Sequence, residues 1–158
     1  MVEWIEGTWL HAAMLNNTWA FPLAEAAHFF GLCLLIGSIG VIDLRLLGFA
    51  RSLSVRAVHQ LLPWVWIGFT INLVTGILFI FSTPDFYAPN MAFRIKMVLL
   101  LLAGANALWY QLTVHKKIDN WPETADAPGQ AKLIAGISLG LWISVIFFGR
   151  FIMYWPPI

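Results

Sequence analysis

The chain has 158 residues, of which 60% are hydrophobic and 11% are charged, and its formal net charge is +1. Because a soluble domain carries about 25% charged residues, this composition excludes an ordinary soluble protein and indicates an integral membrane protein. A net charge this small gives no reason to expect a nucleic acid or an acidic partner. The single cysteine, Cys33, excludes an intrachain disulfide and a C-x-x-C-H site for covalent haem attachment.

The N-terminal segment, residues 1–14, precedes the first long apolar run. Its first charges are Glu3 and Glu6, and it has no basic region, so we do not expect a cleaved signal peptide. One helical stripe of the segment is largely apolar and consists of Trp4, Ile5, Thr8, Trp9 and Ala12. We therefore predict a short helix in the membrane interface, in which His11 is simply hydrated. A frayed tail is the alternative.

Four apolar segments follow, each with the roughly 20 residues needed to cross a bilayer core of about 30 Å: 19–44, 61–81, 93–114 and 133–155. Pro22 and Pro63 stand near the start of the first two segments, where proline costs a helix no hydrogen bond. The connections are short, and short connections favour antiparallel neighbours. We predict an all-α fold with a single domain, residues 1–158, that forms a transmembrane antiparallel four-helix bundle preceded by the short interfacial helix.

Lysine and arginine are unevenly distributed between the two ends of these segments. Six lie in or beside the first and third connections, and they are Arg45, Arg51, Arg56, Lys116, Lys117 and Lys132. Three lie at the opposite ends, and they are Arg94, Lys96 and Arg150. Because cytoplasmic loops carry the excess of lysine and arginine, we predict that both termini lie outside the cytoplasm.

An outer layer of ionisable side chains lies within the predicted spans. Such groups are costly at membrane depth and are functional candidates by default. At 1.5 Å of rise per residue, Glu25 and His28 lie roughly 6 Å and 10 Å below the outer end of the first span. Lys96 and Arg150 lie roughly 5–6 Å inside theirs. Glu25 can therefore accept the ring N–H of His28 or pair with Arg150, and the two cations can neutralise an anion of a ligand.

An inner layer combines two histidines that lie at one level in an antiparallel bundle. His59 opens the second span and His115 closes the third, and Asp43 and Arg45 fall at the same level. Gly104 precedes His115 by three helical turns and lies on nearly the same face. Its missing side chain would leave room beside the imidazole for another helix or for a flat cofactor.

Three kinds of site would use these residues. Haem b takes axial ligands from histidines in a helical bundle, with arginine or lysine beside its propionates. The Glu25-x-x-His28 motif is also found in di-iron sites, but those need two such motifs and further carboxylates, and the other three spans lack carboxylates, which argues against that centre. The third possibility is that no cofactor is bound. Glu25 then pairs with Arg150, and the histidines other than His28 are only hydrated.

Several motifs along the chain carry a family resemblance. They are Trp19–His28 (WAFPLAEAAH), Asp43–Gly48 (DLRLLG), His59–Trp64 (HQLLPW), Gly68-Phe69, Thr75-Gly76, Lys96-Met97, Ala103–Ala107 (AGANA) and Gly149-Arg150. Over nearly its whole length the chain resembles a widespread family of small bacterial four-helix inner-membrane proteins known only as a domain of unknown function. The resemblance implies a four-span protein of the bacterial inner membrane and no established activity. Members often have a histidine soon after the Asn-Ala pair of the third span, where this chain has Trp109-Tyr110-Gln111.

The layout of the predicted bundle is also similar to that of four-helix b-type cytochromes. We interpret the chain as a haem b-binding electron-transfer protein with one or two haems. The cofactor-binding residues are then His28, His59, His115, Glu25, Lys96, Arg150 and Gly104, and the three histidines are the iron ligands. We expect surrounding membrane lipid, a homo-oligomer, no nucleic acid, and a quinone or a cytochrome as redox partner. The alternative is a cofactor-free structural or transport subunit with an outer Glu25–Arg150 ion pair.

A reporter fused after Ile158 tests the predicted orientation. With both termini in the periplasm, a reporter that works only there should be active, and one that works only in the cytoplasm should be silent. The reason is that the basic first and third connections are retained in the cytoplasm. Activity of the cytoplasmic reporter alone would reverse the orientation and exchange the outer and inner layers.

Overall fold

A computed structural model of the protein describes residues 2–116 and 126–155. This part of the chain forms helices α1 (Val2–Glu6), α2 (Trp9–Asn16), α3 (Ala20–Leu47), α4 (Val55–His59), α5 (Leu62–Ser82), α6 (Pro84–Tyr87), α7 (Met91–Thr113) and α8 (Gly129–Phe151). Four stretches are long and apolar enough to cross a membrane, namely α3, α4 continued into α5, α7 and α8. The prediction of a helical protein with four apolar spans is confirmed. Lys117, which contributes to the predicted orientation, lies outside the described residues.

Helices α3 and α8 extend furthest beyond the predicted spans, by three and four residues at one end. Helix α3 continues past the predicted end at 44 because Arg45 is buried, with only 1% of its surface exposed, and its Nε donates a hydrogen bond to the Leu53 carbonyl at 2.6 Å. Gly48 then ends the helix in a left-handed conformation with φ of +94°, and its N–H donates to the Arg45 carbonyl. Helix α8 begins at Gly129, before the predicted start at 133. A charged residue near the end of an apolar run therefore does not end a helix when the fold supplies its partner.

Helix α3 is the centre of the packing. It packs along α5 and along α8, and α8 in turn packs along α7. One apolar cluster contains buried residues of three of these helices, Leu35, Ala103, Trp142 and Val145, and Val65 and Phe69 of α5 pack against it. A second cluster lies nearer the end of α3 and includes Ile42, Leu46, Val58, Tyr110 and Ile134. All four long helices thus contribute side chains to a common core.

Two glycines allow the backbones of α3 and α5 to touch. A Cβ atom on Gly68 would lie 2.7 Å from the Leu35 backbone nitrogen and 2.8 Å from the Gly31 carbonyl oxygen. A Cβ atom on Gly31 would lie 2.7 Å from the Asn72 side-chain nitrogen. The Gly68 position therefore requires glycine for this helix crossing, because the α3 backbone cannot move away, whereas a side chain at Gly31 would have to displace the side chains of Asn72 and Ile71.

The G-x-x-x-G motif of α8 does not form such a contact. A Cβ atom on Gly140 would meet nothing within 4 Å, and one on Gly136 would reach only the Leu47 side chain, at 4.0 Å. Both glycines are exposed, like many large apolar residues in the middle of the helices, such as Phe30, Leu101 and Ile143. Apolar surface of this kind is suited to lipid rather than water.

Two buried asparagines connect α7 to α8. The Asn90 side chain accepts a hydrogen bond from the Phe93 N–H and so caps the start of α7. Its Nδ2 donates to the carbonyls of Ile152, at 2.9 Å, and Trp155, at 3.3 Å. Further along the same pair of helices, Asn106 donates to the Ile134 carbonyl at 3.2 Å. These amides fix the register of the two helices.

The N-terminal segment forms two short helices rather than the single predicted one. The chain breaks at Thr8, whose side chain caps α2 by accepting the His11 N–H. The His11 ring is not merely hydrated, because its Nδ1 lies 2.6 Å from the Phe81 carbonyl near the end of α5. Helix α2 therefore packs on α5, and its location in the membrane interface stays a prediction.

A surface ion-pair network joins the α3–α4 connection to the start of α8. Asp126 accepts a hydrogen bond from the Lys132 ammonium at 2.7 Å, and Arg51 lies 3.6 Å from its other carboxylate oxygen. The hydrogen bond from Lys132 holds the pKa of Asp126 below its usual value, with a smaller effect from Arg51. The stabilisation is therefore present at neutral pH and is lost only in acid, as the pH falls through that lowered pKa. Since these side chains are 34–61% exposed, solvent screens their charges and the effect on stability is small.

Replacement of Gly68 by alanine tests the α3–α5 contact. The new methyl group would strike the Leu35 backbone, so we expect a loss of about 1–3 kcal/mol in the free energy of unfolding, the usual cost of overpacking. The measurement is denaturant unfolding of the detergent-solubilised protein. Gly104→Ala is the matched control, because a Cβ atom there meets nothing within 4 Å. Equal stability of the two variants would contradict the proposed close contact.

Candidate functional site

The outer site is built around His28 of α3 and Thr75 of α5. The His28 Nδ1 lies 2.7 Å from the Thr75 hydroxyl oxygen. That hydroxyl also lies 2.7 Å from the Ile71 carbonyl and 3.3 Å from the Asn72 carbonyl, and when it donates to one of these it accepts from the imidazole. His28 is therefore assigned the tautomer with the proton on Nδ1. Its Nε2 has no hydrogen-bond partner among the described residues and keeps its lone pair.

Glu25 does not hold the His28 ring, contrary to the sequence-based expectation. The carboxylate is exposed and makes no hydrogen bond with the imidazole one turn away. The hydroxyl of Thr75 takes that role because the glycine contact brings α5 against this face of α3. Glu25 acts instead on Tyr87 of α6: burial, and to a smaller extent the Glu25 carboxylate, raise the pKa of this phenol.

The expected Glu25–Arg150 ion pair does not form either. The Arg150 guanidinium donates to the Tyr154 hydroxyl at 3.0 Å and lies 5.3 Å from the centre of that ring. Lys96 behaves as predicted in one respect, since it lies close enough to His28 for their charges to interact. Its side chain runs over Gly149, where a Cβ atom would lie 3.6 Å from the ammonium nitrogen. The outer layer therefore unites His28 and Lys96 and leaves Arg150 outside.

The inner site brings His59 and His115 into direct contact. The His59 Nε2 is hydrogen-bonded to the His115 Nδ1, and the two rings meet edge to edge, with centroids 4.5 Å apart and ring planes at 25°. The Tyr110 hydroxyl lies 3.0 Å from the remaining His59 nitrogen, Nδ1. Both nitrogens of His59 are thus engaged, whereas the His115 Nε2 has no hydrogen-bond partner in residues 2–116 and 126–155. Rings in direct contact through these nitrogens leave no space for a porphyrin between them.

A buried carboxylate lies behind this pair. Asp43 is 4% exposed, lies beside Ser138, and interacts electrostatically with Tyr110. Its Oδ2 atom is buried and has no hydrogen-bond partner among the described residues. A cavity of about 10 Å³, the size of one water molecule, lies against Arg45, His59 and Tyr110. Buried polar groups therefore lie on the interior side of the two imidazoles.

An open cleft of about 600 Å³ lies between the α4–α5 junction and the end of α7. It is lined by Arg56, His59, Gln60, Leu62, Pro63, Trp66, Gln111 and His115. Gly104 does not line it; this glycine is exposed, and a Cβ atom there would meet no described residue within 4 Å. The reason is that α7 ends at Thr113, so His115 no longer follows the helical periodicity that would align it with Gly104.

Thr75 and Tyr110 are the partners that the sequence analysis did not identify. A signal for Thr75 is present, because Gly68, Asn72 and Thr75 recur at the i, i+4 and i+7 positions of one helix face. That small and polar face packs on α3. No comparable spacing points to Tyr110, whose role depends on how α4 approaches α7.

No group of three or more histidine, cysteine or carboxylate side chains in the described residues is placed to hold a metal ion. Comparisons with known proteins also give no lead: the chain matches no protein-family model, no curated protein and no solved structure. The resemblance drawn from the sequence motifs therefore stays a prediction, and function has to be argued from the two sites themselves.

A double-mutant cycle tests the inner pair. Because the two rings share a hydrogen bond, the free energies of unfolding lost in His59→Ala and His115→Ala should not add, and the coupling should be about 0.5–1.5 kcal/mol. The measurement is denaturant unfolding of the wild type, both single variants and the double variant. A control cycle of His11→Ala with His115→Ala should show no coupling, because the two lie at opposite ends of α5, roughly 30 Å apart. Additive effects in the first cycle would contradict the contact.

Proposed function

We propose that this protein is a membrane-embedded haem b protein that transfers electrons, with His28 as an axial ligand. The observation that carries the proposal is the hydrogen bond from the His28 Nδ1 to Thr75. It directs the lone pair of Nε2 to a ligand, at a depth where an imidazole is costly unless it has a function. Histidines that bind metal almost always donate their other ring N–H in this way, which fixes the ring and raises its basicity.

Other described residues fit the requirements of a haem at this position. Lys96 lies near His28 and supplies a cation for a propionate group. Gly149 lets the Lys96 side chain lie flat on α8 and so positions its ammonium group. When bound, the haem iron would supply reversible one-electron transfer, and the protein would tune it through the axial ligand and its burial.

The proposal includes a specific arrangement in the cell. The chain is an antiparallel four-helix bundle of the bacterial inner membrane, with both termini in the periplasm. The contacts of Asn90 with Ile152 and Trp155, and of Asn106 with Ile134, support opposite directions for α7 and α8. The protein is a homo-oligomer. A second histidine ligand to the iron would come from another subunit, because no other described histidine has a hydrogen bond or ring contact with His28.

A cofactor-free transport subunit is the second candidate, and Asp43 favours it. A buried carboxylate within a span commonly marks an ion or proton pathway, and one oxygen of Asp43 has no hydrogen-bond partner in the part of the chain that the structure describes. The outer Glu25–Arg150 pair that the sequence suggested for this alternative is absent. The two candidates differ in colour, since only the haem protein absorbs visible light.

Absorption spectra of the purified protein test the proposal. We expect a Soret band in the wild type and its loss in His28→Ala. Thr75→Val keeps the side-chain shape but removes the hydrogen-bond acceptor. Haem affinity should therefore fall about 10–100-fold, as it does when other residues that are hydrogen-bonded to metal ligands are replaced. Lys96→Ala should weaken haem retention through loss of a charge-assisted partner.

Arg150→Ala is the matched control, because its guanidinium is engaged by Tyr154 rather than by the site. It should retain the wild-type spectrum and affinity. A wild-type protein that stays colourless after addition of haemin, although correctly folded, would rule out haem binding and leave the cofactor-free candidate.

A further inference from the structure

We infer that the inner cleft binds the ring of a membrane quinone, with its oxygen hydrogen-bonded to the Nε2 of His115. The inference rests on the proposed electron-transfer function, for which a quinone is a redox partner. The observations that support the quinone site are those of the cleft, and quinone binding can be measured without reference to haem. Quinone binding can therefore fail while haem binding succeeds, or succeed while haem binding fails.

A chain of hydrogen bonds lies behind the cleft. Tyr110 engages the His59 Nδ1, and the His59 Nε2 engages the His115 Nδ1. A single ring nitrogen of the pair, the His115 Nε2, has no hydrogen-bond partner in the described residues, and His115 is an exposed residue that lines the cleft. The chain therefore holds one imidazole edge ready for a ligand.

The His115 Nε2 can serve as either a hydrogen-bond donor or an acceptor. The Tyr110 hydroxyl can donate to His59 or accept from it. If it donates, His59 donates in turn to His115, whose proton then stands on Nε2. If it accepts, every proton in the chain is reversed and Nε2 presents a lone pair. A quinone oxygen accepts a hydrogen bond and a quinol hydroxyl donates one, so the same edge fits both redox forms.

The lining of the cleft combines amide groups with an apolar wall. The amides of Gln60 and Gln111 also offer both a donor and an acceptor. Leu62, Pro63 and Trp66 supply an apolar wall and an aromatic face on which a flat ring can stack. Arg56 is the one permanently charged side chain among the described lining residues. This chemistry suits a neutral ring better than the phosphate of an anionic lipid, which requires cations and donors only.

Size and position agree with this ligand. The volume of about 600 Å³ falls in the range of small-molecule sites, about 300–1,000 Å³. Trp66 lies in the first part of α5, a span-forming helix, and is 51% exposed. A ring bound against it could keep its isoprenoid tail in the surrounding lipid.

The test is calorimetric titration of the protein in nanodiscs of zwitterionic lipid with a decyl-substituted benzoquinone, corrected for empty nanodiscs. We expect saturable binding that His115→Ala and Gln111→Ala each weaken by about tenfold or more. Trp66→Ala and Trp64→Ala form a matched pair, since the two indoles are 51% and 50% exposed but only Trp66 lines the cleft. Trp66→Ala should weaken binding and Trp64→Ala should not. These residues are at least partly exposed, so the variants should fold, which circular dichroism checks.

Three results would overturn the inference. The first is binding that none of the cleft variants alters. The second is displacement of the benzoquinone by anionic phosphatidylglycerol together with loss of that competition in Arg56→Gln, which would assign the cleft to a lipid headgroup. The third is loss of a haem absorption component in His115→Ala, which would assign the Nε2 of His115 to iron.

Discussion

The rest of the structure depends on the close approach of α3 and α5 at Gly31 and Gly68. In a membrane the helices gain little from burying apolar side chains against each other, because lipid is equally apolar, so association relies on packing and hydrogen bonds. The two glycines supply that packing by letting one backbone rest on the other. The same approach places Thr75 against His28 one turn beyond the crossing. The outer site is thus a direct consequence of the helix contact.

At both sites a hydroxyl group is hydrogen-bonded to the Nδ1 of a histidine, and the two hydroxyl groups differ in the roles open to them. At the outer site the Thr75 hydroxyl has other acceptors in the Ile71 and Asn72 carbonyls, which favours the tautomer of His28 with its proton on Nδ1. At the inner site the partner of His59 is the Tyr110 phenol, which is free to donate or accept. The outer imidazole is therefore held in one protonation pattern, as a metal ligand requires. The inner pair can change its pattern without moving a ring.

Much of the fold could be predicted from the sequence, because hydrophobic length alone locates membrane-spanning helices. His59 and His115 were also predicted to lie at the same level along the bundle axis, because the rise per residue determines that level, and they are in contact. What depth cannot give is the direction of a side chain around the helix axis. Glu25 and Arg150 lie at similar calculated depths, yet the arginine reaches Tyr154 on its own side of the bundle. Likewise the α8 glycines matched a known motif, whereas the close contact is made by glycines 37 residues apart in sequence, Gly31 and Gly68.

The interior of the bundle connects the inner site to a group that the proposed haem does not use. Asp43 is buried beside Ser138 and interacts electrostatically with Tyr110, and Tyr110 is hydrogen-bonded to His59. Asp43 acts on the phenol through its charge, because no hydrogen bond joins the two side chains in the described residues. The hydrogen-bond chain itself runs from Tyr110 through His59 to His115. Its orientation determines whether the His115 Nε2 donates or accepts, so the direction of the Tyr110 hydroxyl determines which ligand atom the cleft can bind.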